Sequence, residues 1–269
     1  MLYKKLRTDW DTLDVERKNK MRGILMNLLK FITEDKTANI QTIQRICMLM
    51  GTLMVRIIAE GSPNIIKEMI EFIPVSKQVT RYCLVHILCS SVEELEPFGV
   101  DRGRKIASFL LNSGEMVLQL LKMLLLNKNK EENEQFEMLN KKKCVECIAQ
   151  WIHLGVDVEI LLSLDYFSLL TSLLGVPLFF NEAVDAINFL FSSPHSFCSI
   201  DFPLQGRLLF ERNNHQNAIN SILFSTLQLE SLYDKLTLEN KEENEKIIDS
   251  ITRLVVGIIG KKIFFYLKI

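Results

Sequence analysis

Glycine and proline are scarce in this chain, 11 and 6 among 269 residues. Sheet proteins and α/β enzymes spend these residues on tight turns and phosphate loops, so their scarcity argues for helices joined by short connections. Neither a Gly-x-Gly-x-x-Gly run nor a Walker pattern occurs, which speaks against nucleotide hydrolysis. No charge of one sign dominates: 32 basic side chains face 33 acidic ones, for a formal net charge of −1. Nucleic-acid binders carry a basic excess to neutralise phosphates, so this balance is easier to reconcile with protein partners. A signal sequence is missing, because Met1-Leu2-Tyr3-Lys4-Lys5 leads straight into charged residues. The longest uncharged run, Tyr166 to Asn181, is short for a bilayer span and is interrupted by Gly175 and Pro177. Cys47, Cys83, Cys89, Cys144, Cys147 and Cys198 match no small secreted framework and read as free thiols in a reducing compartment. The expectation is a soluble intracellular protein.

What the chain does have is apolar character, 48% of its residues. These recur at three- and four-residue spacing almost from end to end, as amphipathic helices require. Met21, Ile24, Leu25, Leu28, Leu29 and Ile32 mark one stripe, capped by Asp14 or Thr12 and ended at Asp35-Lys36-Thr37. The next helix is expected from Ile40 to Ala59, with Ile43, Cys47, Met50, Leu53, Met54 and Ile57 inward. At Gly61-Ser62-Pro63, Gly ends one helix, Ser caps the next and Pro takes its first position. That helix carries Ile65, Ile66, Met69, Ile70 and Phe72 before Pro74 stops it, and Ser76 opens another through Leu88. Asp101–Leu111 and Glu115–Leu126 form a pair around Asn112-Ser113-Gly114. After a charged run from Lys128 to Glu134, a helix spans Leu139 to Leu154 and ends at Gly155. Asp165–Leu174 and Asn181–Phe191 pair around Gly175-Val176-Pro177. Ser192 to Asn213 reads as an irregular link, and His215–Leu236 with Lys241–Ile259 as a last pair.

Roughly a dozen helices paired at roughly 40 to 50 residues predict an all-α fold. The architecture expected is a right-handed HEAT-type helical-repeat solenoid, an α–α superhelix with a broad concave binding face. One continuous segment over residues 1–269 is expected.

Cys144-Val145-Glu146-Cys147 has the spacing of half a zinc site, but no second pair exists, and its helical setting is wrong for a redox dithiol. Both cysteines read as small apolar fillers near a helix core. His86, His153, His195 and His215 are scattered, and His195 beside Ser196 lacks an acidic orienter and an oxyanion hole. Glu131-Glu132 belongs to a solvated loop, or to an acidic lip that meets a basic partner. Trp10 and Trp151 each stand near the C-terminal end of a helix, where a large ring can plug the groove between stacked pairs. The sequence assigns no catalytic, cofactor-binding or metal-binding residue, and the chain is read as no enzyme.

Four collinear stretches resemble one family. Lys142-Lys143-Cys144-Val145-Glu146-Cys147-Ile148-Ala149-Gln150-Trp151-Ile152-His153-Leu154-Gly155-Val156 is similar to the Lys-x-x-x-Cys…Trp helix of the importin-β (karyopherin) superfamily, in the branch of importin thirteen and transportin three. Leu2-Tyr3-Lys4-Lys5 through Trp10 resembles that family's early helix ending in Trp. Ile70-Glu71-Phe72, then Leu84-Val85-His86-Ile87-Leu88 and Glu94-Leu95-Glu96, resemble its leucine-rich helix and the acidic segment after it. Asn181-Glu182-Ala183-Val184-Asp185-Ala186-Ile187 is similar to a later family helix. The resemblance implies exportin-1-like, HEAT-like repeats and a nuclear transport receptor that shuttles between cytoplasm and nucleus through the pore. Its implied partners are protein cargo, the GTPase Ran and Phe-Gly nucleoporins, with no cofactor, direct nucleic acid or membrane. Family members begin before the Trp10 helix and continue through more pairs, so truncation at both ends is expected. No individual Ran-, cargo- or pore-binding residue carries over. The competing expectations are a static HEAT-repeat scaffold for a cytoplasmic complex and an enzyme using Cys147 or Cys144.

Overall fold

The computed structural model describes residues 2–34, 39–62, 64–95, 98, 100–127 and 133–192. Among them every regular element is helical, and the helices pack as a HEAT-type helical repeat. Two compact units, Met1–Leu154 and Gly155–Ile269, are treated separately. The link after Ser192 and the last expected pair lie outside the described residues.

Unit 1 holds α1 (Leu2–Thr8), a 3₁₀ turn (Trp10–Thr12), α2 (Val15–Glu34), α3 (Ile40–Ala59), α4 (Ile65–Phe72), α5 (Gln78–Glu93), α6 (Val100–Leu111), α7 (Gly114–Leu126) and α8 (Glu134–Leu154). The backbone of the unit is a row in which α3 packs on α5 and α5 on α8. Their partners form a second layer: α2 and α4 against α3, and α7 against α8. Local chemistry sets several of these boundaries. The Asp14 carboxylate accepts from the Arg17 N–H at 2.7 Å, and the Asn39 side chain accepts from the Gln41 N–H at 2.8 Å, so both helices begin where a capping residue satisfies a free amide. Gly61 and Gly155, at φ +98° and +103°, occupy the left-handed conformation that follows α3 and α8.

Three expectations are corrected. The fourth helix starts at Ile65 after Asn64, so Ser62 does not cap it; Pro63 lies outside the described residues. The fifth starts at Gln78 after Lys77 rather than at Ser76. On α2, Leu25, Leu29 and Ile32 are buried, whereas Ile24 and Leu28 face solvent. The six residues read as one stripe are thus divided, because α2 is covered along one side only.

Helix α3 shows a different pattern. It is buried all round from Met50 to Ile58, because α1, α2, α4, α5 and α6 all lie against it. With only Arg45 and Arg56 charged, it is the one helix among the described residues long and apolar enough to cross a bilayer, and most of it is buried within the unit. The sequence reading passed over it because those two arginines break the uncharged run. Burial on every side is the expected character of a central core helix.

Unit 2 contains α9 (Val158–Ser163), α10 (Tyr166–Leu173), a 3₁₀ turn (Pro177–Phe179) and α11 (Phe180–Ser192). Tyr166, Leu170, Phe180, Ala183 and Val184 make its core. Helix α9 was not anticipated; the Asp157 carboxylate starts it by accepting from the Glu159 N–H at 3.0 Å.

The row of α3 and α5 is set by a near-contact of backbones. A Cβ on Gly51 would lie 2.8 Å from Ser90 Cβ and 3.1 Å from the Ser91 backbone nitrogen. Gly23, midway along α2, has nothing within 4 Å of the same position. Gly51→Ala is therefore expected to destabilise unit 1 by about 1–3 kcal/mol through overpacking. Gly23→Ala should stabilise by about 0.5–1 kcal/mol through helix propensity. Urea unfolding of the two variants checks both signs.

Candidate functional site

Where α2 and α4 lie over α3, they leave a small cleft of about 30 Å³ that opens to solvent. Its floor is Met50, Leu53, Met54 and Ile57 of α3, and its walls are Met26 of α2 and Ile65 and Met69 of α4. The i, i+3, i+4, i+7 spacing of the α3 residues puts all four on one face. Across the mouth, Arg22 Nη2 meets Glu68 Oε2 at 3.2 Å, with both side chains about half exposed. An exposed pair of this kind contributes at most about 1 kcal/mol and opens readily. The cleft offers no buried polar group to orient a polar ligand, since its only charged residues neutralise one another at the rim. What it presents to solvent is apolar surface. Four methionines make its walls adaptable, because the unbranched thioether repacks around different shapes. The sequence reading placed Met50 and Met54 inward but did not single out the cleft. One signal was present: seven of the ten methionines fall within the first 69 residues.

The residues that sequence reasoning weighed for chemistry are not brought together. Cys47, Cys83, Cys89, Cys144 and Cys147 are all buried. Burial, followed by the nearby Glu137 carboxylate, pushes the Cys144 thiol up to about 12. Cys147 is driven well above the usual thiol range by burial and by hydrogen bonding with Cys89 on α5, and Cys47 likewise by burial and by Cys83. Buried, inaccessible thiols neither attack an electrophile nor ligate a soft metal readily. No three His, Cys, Asp or Glu side chains gather to hold a metal ion among the described residues. His153 is exposed at the end of α8. His86 is half-buried, with Nδ1 3.2 Å from Ser90 Oγ and its ring edge-on to Tyr82. Glu131-Glu132, His195, Ser196, Cys198 and His215 lie outside the described residues.

Both tryptophans act as plugs. Trp151 is fully buried on α8 and its indole N–H donates to the Leu88 carbonyl of α5 at 3.3 Å. Trp10 is 2% exposed and donates to Glu60 Oε1 at 3.0 Å, pinning the segment after α1 to the end of α3. That attachment is reinforced by charge. Arg56, nearly buried on α3, donates to the Arg7 carbonyl and lies 4.3 Å over the Phe98 ring. Asp11 receives Arg102 at 3.1 Å, which holds its carboxyl below the usual range, and Arg7 meets Glu94 at 3.2 Å.

By class, the described helices form a HEAT-type helical-repeat stack. The profile of the family described as exportin 1-like protein matches residues 40–187, from the start of α3 into α11. The chain belongs to that family, and through it to the importin-β, or karyopherin, superfamily, whose members are nuclear transport receptors rather than enzymes. No curated protein matches the chain significantly.

Two outcomes follow from the burial described. With a thiol-reactive chromogen at neutral pH, Cys47, Cys83, Cys89, Cys144 and Cys147 should stay silent in the folded chain and react only in denaturant, as mass mapping of labelled peptides would show. For His86, burial and then the Lys143 ammonium hold the imidazole below its usual value. The unfolded chain thus binds more protons between that lowered value and about 6.5, so stability drops as pH falls through this window. His86→Gln should remove part of the drop, read as a smaller difference between urea midpoints at about pH 7.5 and about pH 5.5.

Proposed function

We propose that this chain is part of a nuclear transport receptor that carries protein cargo into the nucleus under Ran-GTP control. The observation that carries the reading is membership of the exportin 1-like family over residues 40–187. The near-zero net charge suits protein partners, and the buried thiols leave no reactive nucleophile among the described cysteines. The four collinear motifs favour the branch of importin thirteen and transportin three. Within this reading the protein shuttles between cytoplasm and nucleus, and Ran-GTP and cargo compete because they bind best to different curvatures of one flexible repeat array.

The methionine-lined cleft between α2 and α4 supports a pore-binding role. Its apolar, methionine-lined walls could part to seat a single phenylalanine presented by a Phe-Gly repeat. Met26, half-buried on the α2 wall, is the residue to alter, because a charge there spoils the cleft without emptying the α3 floor.

Two measurements test the reading. The first is retention of the native protein on immobilised Ran: selectivity for the GTP form over the GDP form is expected. Retention indifferent to nucleotide, with a constant cytoplasmic complex and no shuttling, would leave the static scaffold as the better account. The second is titration of the chain with a Phe-Gly peptide, in which Met26→Glu should weaken binding by about tenfold.

A further inference from the structure

The exposed side of α2 carries an apolar row that nothing in unit 1 covers. Ile24, Leu28 and Phe31 are 49%, 38% and 66% exposed, and they follow one another at four- and three-residue spacing. At about 100° per residue they share one face of the helix, beside the buried row of Leu25, Leu29 and Ile32. Lys20 sits one turn before Ile24 and Glu34 about one turn after Phe31, both exposed and neither in an ion pair among the described residues. The order along this face is therefore cation, isoleucine, leucine, phenylalanine, anion.

That order is its own complement when reversed. An antiparallel copy of α2, related by a two-fold axis near Asn27 and Leu28, sets Ile24 opposite the other copy's Phe31. The same axis sets Leu28 near its own counterpart and brings Lys20 to Glu34 at both ends. We propose that α2 is a self-association surface, and that the occupant of its apolar row is the α2 of a second copy of this chain. Charge complementarity fixes the register: two ion pairs close the ends of the row only in the antiparallel arrangement. A parallel pairing would juxtapose the two Lys20 ammonium groups and the two Glu34 carboxylates. The face is one helix wide and about 21 Å long, so the contact is smaller than a standard interface and the dimer is of the micromolar kind.

The test is sedimentation of the full chain from about 1 µM to about 100 µM, with the circular dichroism of each variant checked first. A concentration-dependent dimer is expected. Phe31→Glu should raise its dissociation constant by about tenfold or more. Lys20→Glu and Glu34→Lys should each dissociate it, because each sets like charges together at both ends. Mixing those two variants should restore a dimer, now a heterodimer with opposite charges at both ends. A chain that is monomeric at about 100 µM, a dimer indifferent to Phe31→Glu, or a mixture that stays monomeric overturns the proposal.

Discussion

The close approach of α3 and α5 at Gly51 and Ser90 is the constraint on which the first unit depends. Helices with ordinary side chains at a crossing stay about 8–10 Å apart. Here the absent Gly51 side chain and two small buried serines let the backbones close in, and Ser91 directs its hydroxyl back to the Leu88 carbonyl at 2.8 Å rather than across the contact. That same carbonyl receives the Trp151 indole from α8. One short stretch of α5, residues 88 to 91, thus meets α3 on one side and α8 on the other. The spacing of the whole α3–α5–α8 row is set there.

Polar groups that this row buries make contacts that tie in the surrounding elements, though Arg56 Nε, Glu137 Oε2 and Asn140 Oδ1 are buried without a hydrogen-bond partner among the described residues. Arg81 on α5 donates to the Val75 carbonyl at 3.2 Å and lies 3.7 Å from Glu137 of α8. Asn140 of α8 donates to the Gln78 carbonyl at 3.2 Å, so the N-terminal end of α5 is held by α8 as well as by packing. Arg56 does the same service at the opposite end of α3 by reaching the Arg7 carbonyl. A buried guanidinium left without partners would cost several kcal/mol in lost hydration, on the order of 3–5. The segment before α2 is consequently fastened to the core rather than merely adjacent to it.

Much of this was legible in the sequence because helix periodicity and caps are local. Helix α3 was placed at its observed ends, Gly61 and Gly155 marked helix ends correctly, and both tryptophans were read as plugs between helices. Two local caps were misplaced, since α4 and α5 start after Asn64 and Lys77 rather than at Ser62 and Ser76, and the other failures were set by neighbours. Six apolar residues on α2 could not reveal which would be covered, since that depends on where α3 lies. The short α9 carries too few residues to show a period, and the start of α8 is five residues earlier than expected because Glu134 to Met138 look like the charged run before them. The cleft was invisible for a related reason. Met26, Met50 and Met69 come from three helices, and only their packing brings the thioethers together.

The contrast between the two layers bears on how a repeat protein of this family can bind partners. In the α3–α5–α8 row, small residues, indole hydrogen bonds and buried thiols leave little freedom to repack, as expected of a dense interior. Helices α2 and α4 are fastened differently. Across the cleft they are joined by the Arg22–Glu68 pair, which is exposed, and the surfaces they turn to each other are lined with methionine. A ligand side chain entering there displaces a weak ion pair and reshapes flexible thioethers, while the Gly51 crossing beneath is untouched. Binding energy spent at the cleft can therefore shift α2 relative to α4 without disturbing the row that keeps the repeats in order.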